Sequence, residues 1–157
     1  DTLGAGMKFP MYFAIISILA APASFLNAAL VMKYGMKLLA TIGFALQIIF
    51  AIITILIINQ DFISMEWLLV IFISWSVIAF FLKGLYFGNL NALAMEPMGE
   101  IAGMASAIIG ASATMLGILI AIPIGLAFNG TATPVLFGYI TCSSLALILM
   151  LTKSNNN

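Results

Sequence analysis

The feature that most restricts this chain is a recurrence. Five apolar stretches, from Pro10 to Met32, Leu38 to Ile58, Trp67 to Ala94, Ile101 to Phe128 and Pro134 to Thr152, follow one another with only short links between them. A bilayer's hydrocarbon is about 30 Å thick, and a helix rising about 1.5 Å per residue needs about 20 apolar residues to cross it. All five stretches meet that length. A membrane β-barrel would instead alternate apolar and polar residues in pieces of about 10. The links carry turn chemistry: Tyr34-Gly35, Asn59-Gln60-Asp61, Glu96-Pro97-Met98-Gly99, and Asn129-Gly130 ahead of Pro134. The expectation is an all-α membrane protein, one bundle over residues 1–157, with five transmembrane helices joined as hairpins.

Composition removes the alternatives. Of 157 residues 64% are hydrophobic and 6% charged, against roughly 45–50% and roughly 25% in soluble domains. Five lysines and no histidine balance five acids, so there is no basic footprint for nucleic acid. One cysteine, Cys142, supports neither a disulfide framework nor a zinc site. No serine or threonine has a histidine to act as its base, and no carboxylate lies within a span, so the chain is not expected to be an enzyme. No cofactor is implied. Asn129-Gly130-Thr131 matches a glycosylation tripeptide, but its place in a tight link reads as a turn.

Short cytoplasmic loops carry the lysine and arginine excess. Lys33, Lys37 and Lys153 fall on one side of a five-span arrangement and Lys8 on the other, which places the C-terminus in the cytoplasm and the protein in the plasma (cytoplasmic) membrane. The odd span count and the first residue, Asp1, lead to the expectation of a fragment of a larger chain.

Polar and small residues are distributed unevenly among the spans. In lipid, helices associate through small residues that let backbones approach. Gly103, Gly110 and Gly117 recur every seven residues in the fourth span, with Ser106 on the same face, so that face is expected against another helix. Pro123 should kink this span. The first span carries Ser17, Ser24 and Asn27 beside alanines, suiting either interhelical hydrogen bonds or a wet wall. The second, Ile-rich with Gln47 and Thr54, suits lipid contact. The third holds Lys83, and an ionisable residue within a span is a functional candidate because its burial is costly. Two readings stand for Lys83: snorkelling to the surface, or a substrate- or proton-linked role. Gly84 and Gly88 form a small-x-x-x-small pair near Asn89 and Asn91, whose amides either tie helices together or line a polar path. In the inner loop Glu96 and Glu100 are solvated or latch to Lys33 or Lys37.

Residues Asn27 to Lys37 resemble the second-half copy of the loop motif of the major facilitator superfamily, in which basic, Gly and basic residues join two helices; Lys33, Gly35 and Lys37 match. The motif's Asp falls on Met32 and its first Gly on Ala28. Phe87 to Pro97, followed by Ala102 to Ala107, is similar to the end of helix ten, the inner loop and the start of helix eleven in drug/proton antiporters of the bicyclomycin-resistance (Bcr/CflA) type. The resemblance implies helices eight to twelve of a twelve-helix transporter, a partial C-terminal half whose partners are the bilayer, the missing N-terminal half and a small-molecule substrate. It further implies that residues 10–32, 67–94 and 101–128 surround a central cavity, with 38–58 and 134–152 on the lipid side. Lys83, Asn27, Asn89, Asn91 and Ser24 are then the candidate substrate or proton pathway. The expected activity is proton-coupled efflux of small organic compounds; the alternative is a non-transporting membrane partner or assembly subunit.

Overall fold

A computed structural model describes residues 6–60 and 63–154, with Lys153 and Ser154 described in backbone only. Asp1 and Asp61, counted above, lie outside the described residues. The described residues form helices joined by short turns, without a strand. After a 3₁₀ turn at Gly6–Lys8 come α1 (Phe9–Ala20), α2 (Pro22–Tyr34), α3 (Met36–Ile58) and α4 (Met65–Met95). A second 3₁₀ segment, Glu96–Ile101, leads into α5 (Ala102–Leu126), and α6 spans Thr133–Ser154.

Four continuous stretches are long and apolar enough to cross a membrane: Gly6–Tyr34, Met36–Ile58, Met65–Leu126 and Thr133–Thr152. This corrects the expected five separate helices. Residues 96–100, read from sequence as a loop, form with Ile101 a 3₁₀ segment that joins α4 to α5. The joint is nevertheless broken in direction, because Gly99 sits at φ 48°, ψ −123°, a backbone region open chiefly to glycine. A straight helix of the third stretch's 62 residues would measure about 93 Å, three times the hydrocarbon thickness.

α1 and α2 act as one rod. Pro22 has no N–H to continue the ladder, but Ala21 stays right-handed helical (φ −55°, ψ −37°) and donates to Ser17 and Ile18 carbonyls at 3.1 and 3.3 Å. The α2–α3 reversal rests on Gly35 at φ 78°, ψ 157°, which gives the glycine between Lys33 and Lys37 its physical reason. α3 ends where the Asn59 and Gln60 side chains donate to the Ile55 and Leu56 carbonyls at 3.0 and 2.9 Å. They satisfy acceptors that the helix end leaves open. In the α5–α6 turn Asn129 Oδ1 accepts from both the backbone N–H and the hydroxyl of Thr131, at 3.2 and 2.7 Å. The tripeptide there is the expected turn.

The core lies where α3, α4 and α6 meet, around Ala51, Trp75, Ala79 and Leu136. The Trp75 and Tyr139 rings meet edge to face at 5.0 Å, and Phe44 packs on Tyr86 at 4.5 Å. The α2–α3 link, the end of α4 and the last apolar residues of α6 border one groove at one end of the bundle. The end of α3, the start of α4 and the α5–α6 turn surround a cavity at the other.

Candidate functional site

The candidate residues of the first and third stretches meet along one seam, where α1 and α2 lie on α4. It opens with Phe13 edge to face on Phe80, ring centroids 5.8 Å apart. Next, Ala23 is fully buried against Gly84, where an added Cβ would stand 2.7 Å from the Ala23 Cβ. Glycine is therefore what lets these two backbones approach. One turn further, Asn27 and Asn89 exchange hydrogen bonds: Asn89 Nδ2 donates to Asn27 Oδ1 at 2.8 Å, and Asn27 Nδ2 to Asn89 Oδ1 at 3.2 Å. Asn89 Nδ2 also donates to the Leu85 carbonyl at 2.8 Å, and the residue is 4% exposed. The pair occupies its own donors and acceptors and so fixes the register of α2 on α4. Asn27 and Asn89 thus serve as a clamp between helices.

The other candidates lie outside that clamp. Lys83 is exposed on α4, and Phe87 and Asn91, at intervals of four residues, share its open face. Asn91 Nδ2 satisfies itself on the Phe87 carbonyl at 3.2 Å. Ser24 is exposed beside the buried Ala23. Of the Gly84–Gly88 pair only Gly84 meets a neighbour; a Cβ on Gly88 would touch nothing within 4 Å.

The small-residue stripe of α5 is not against another helix among the described residues. Cβ atoms at Gly103, Gly110 and Gly117 would meet nothing within 4 Å, Ser106 is exposed, and no α5 residue is buried. The reason lies in where α5 finds support: its close approach is near its end, where Ile124 presses on Gly138 of α6, and most of its length has no opposing surface among the described residues.

Sequence reasoning passed over the buried face of α3. Leu39, Ala40, Gly43, Phe44, Gln47, Ala51 and Thr54 are all buried, and a Cβ at Gly43 would stand 2.7 Å from Cδ1 of Tyr86. The signal was present in the three- and four-residue intervals of Ala40, Gly43, Gln47, Ala51 and Thr54, hidden by the isoleucines of the opposite face. Gln47 is 1% exposed and neither polar atom of its side chain has a hydrogen-bond partner among the described residues. Such an orphaned amide typically costs about 1–3 kcal/mol.

At the end of the bundle that holds the α2–α3 link, the Lys33 ammonium lies 5.2 Å from the centre of the Tyr34 ring. Lys37 and Glu96 border a common open groove of about 570 Å³, together with Tyr34, Thr41 and apolar residues of α3, α4 and α6. Among the described residues no group of three or more His, Cys, Asp or Glu side chains is placed to hold a metal ion. No protein-family model matches the chain, and neither a curated protein nor a solved structure matches it.

Proposed function

We propose that this chain is part of a membrane transporter that exports small organic compounds in exchange for protons, its five apolar segments crossing the bilayer as helices eight to twelve of a major facilitator fold. The observation that carries this reading is the open face of α4, where Lys83, Phe87 and Asn91 stand exposed on a helix whose opposite faces are packed. α4 has 31 residues and is about 46 Å long. Lys83, 12 residues before its last, is then about 18 Å from that end, deep enough that a bare ammonium facing lipid is strongly disfavoured. A water-lined cavity against a second helical bundle removes that cost. In this reading the second bundle is the N-terminal half of the same polypeptide, the Asn27–Asn89 clamp holds the cavity wall rigid, and the two halves rock about a midplane site. Lys83 attracts an anionic group of the substrate or a carboxylate of the other half, and protonation of that carboxylate releases the pair.

The open α5 face favours a second reading, a membrane subunit that docks on a partner without transporting. Proton-driven efflux by the full-length polypeptide separates the two. Lys83→Met at unchanged membrane abundance is expected to lower efflux at least tenfold and flatten its pH dependence. Unaltered efflux would remove Lys83 from the pathway. Absence of proton-linked flux by the intact protein, with every compound tried, would favour the docking subunit.

A further inference from the structure

The open face of α4 sets three different chemical groups in line. Lys83, Phe87 and Asn91 recur every four residues, so their Cα atoms stand about 6 Å apart along one side of the helix and about 12 Å from first to last. Phe87 is 58% exposed, which leaves its ring open to a ligand. Asn91 donates from Nδ2 to the Phe87 carbonyl. A carbonyl only accepts, so this contact fixes which way the amide is turned and leaves Asn91 Oδ1 as an acceptor. Lys83 has no counter-charge near it in the sequence: the nearest acids, Glu66 and Glu96, lie about 25 and 20 Å away along the helix.

We propose that the exported compound is an aromatic carboxylate with a hydrogen-bond donor on the far side of its ring. The proposal rests on the transport reading and narrows its substrate. The carboxylate accepts from the Lys83 ammonium, and charge-assisted hydrogen bonds of this kind are the stronger ones. One helical turn on, the substrate's ring packs on Phe87, a contact that adds to simple burial when two rings meet offset or edge to face. A hydroxyl at the far end of the ring donates to Asn91 Oδ1. Each group rejects a different competitor. A cation is repelled by Lys83, and a neutral compound leaves the ammonium without a counter-charge inside the membrane. An aliphatic acid loses the ring contact, and an acid without the hydroxyl leaves Asn91 Oδ1 unused.

The test is proton-driven flux in proteoliposomes of the larger polypeptide that the transport reading proposes, measured over protein-free liposomes. The probes are 3-(4-hydroxyphenyl)propionate, its primary amide, the amine tyramine, 3-phenylpropionate and 3-cyclohexylpropionate. The hydroxyphenyl acid is expected to move about tenfold faster than its amide or tyramine. Lys83→Met should erase that preference and Lys83→Arg should keep it. The phenyl acid should outpace the cyclohexyl acid about threefold, a margin lost in Phe87→Leu and kept in Phe87→Tyr. Asn91→Leu should remove the advantage of the hydroxyphenyl acid over the phenyl acid. Circular dichroism and elution volume confirm that each variant is folded. Flux of the amide or tyramine equal to that of the acid, or a preference for the acid that survives Lys83→Met, would overturn this proposal and leave transport standing. No flux of the acid would also overturn it, and the transport reading falls with it only if the amide, tyramine and every other compound tried are not moved either.

Discussion

α3 and α5 are nearly the same length, 23 and 25 residues, and both read in sequence as apolar spans, α3 Ile-rich and suited to lipid, α5 with a small-residue face suited to another helix. They nevertheless differ completely in what they bury. α3 buries seven residues and turns Ile49, Ile52, Ile53 and Leu56 outward; α5 buries none. A small-residue face is permission for close approach, and contact follows only where an opposing surface has the matching shape. Gly43 has Tyr86 and Gly84 has Ala23. Gly103, Gly110 and Gly117 have no such neighbour among the described residues.

Breaking the packed side should have the largest effect. Gly43→Leu drives a side chain into the Tyr86 ring, which Phe44 holds from one side, and should cost about 3 kcal/mol in a denaturant titration in detergent. Loss below about 0.5 kcal/mol, the range of ordinary surface changes, would show that the α3–α4 contact is loose. The Asn27–Asn89 clamp should come next. Asn89→Leu leaves Asn27 without its partner and is expected to cost about 1–2 kcal/mol. A double-mutant cycle with Asn27→Leu should show positive coupling, and additive effects would refute the exchange of hydrogen bonds.

How much of this was legible depends on what each feature needs. Span positions are a local property, and the apolar run from Leu38 to Ile58 coincides closely with α3. Gly35 was legible because one residue's backbone geometry decides the turn. The α4–α5 joint was misjudged because Pro97 and Gly99 signal a break, yet Pro fits a first helical turn and the change of direction falls on Gly99 alone. Of the candidate site, Asn27 and Asn89 were recognised as polar groups needing partners. That they partner each other is a long-range fact, set by the approach of Ala23 to Gly84, which no local pattern encodes. Gln47 carries no local signal of burial because isoleucines dominate its helix, and its burial follows from the fit of α3 against α4 and α6.

Two smaller effects sharpen the comparison. Gln47→Leu replaces an orphaned buried amide with an apolar group of similar length and should raise stability by about 1 kcal/mol; a comparable loss would show that Gln47 has a partner in the membrane. Gly110→Leu in the isolated chain should change stability by less than about 0.5 kcal/mol, because a side chain there enters open space. In the larger polypeptide that our functional reading proposes, the same substitution should impair assembly or transport.

In our functional reading the open faces of α4 and of α5 meet protein or a water-filled cavity and not lipid. Spin labels at Lys83, Gly110 and Gly117, with Ile53 and Leu56 of α3 as lipid-facing references, measure this directly in the full-length protein in bilayers. Oxygen partitions into lipid and a charged nickel chelate into water, so their collision rates report what surrounds each label. We predict high oxygen and low nickel access at Ile53 and Leu56, low oxygen access at Gly110 and Gly117, and nickel access at Lys83. Oxygen access at Lys83, Gly110 and Gly117 equal to that at Ile53 would place the face in lipid and contradict the account.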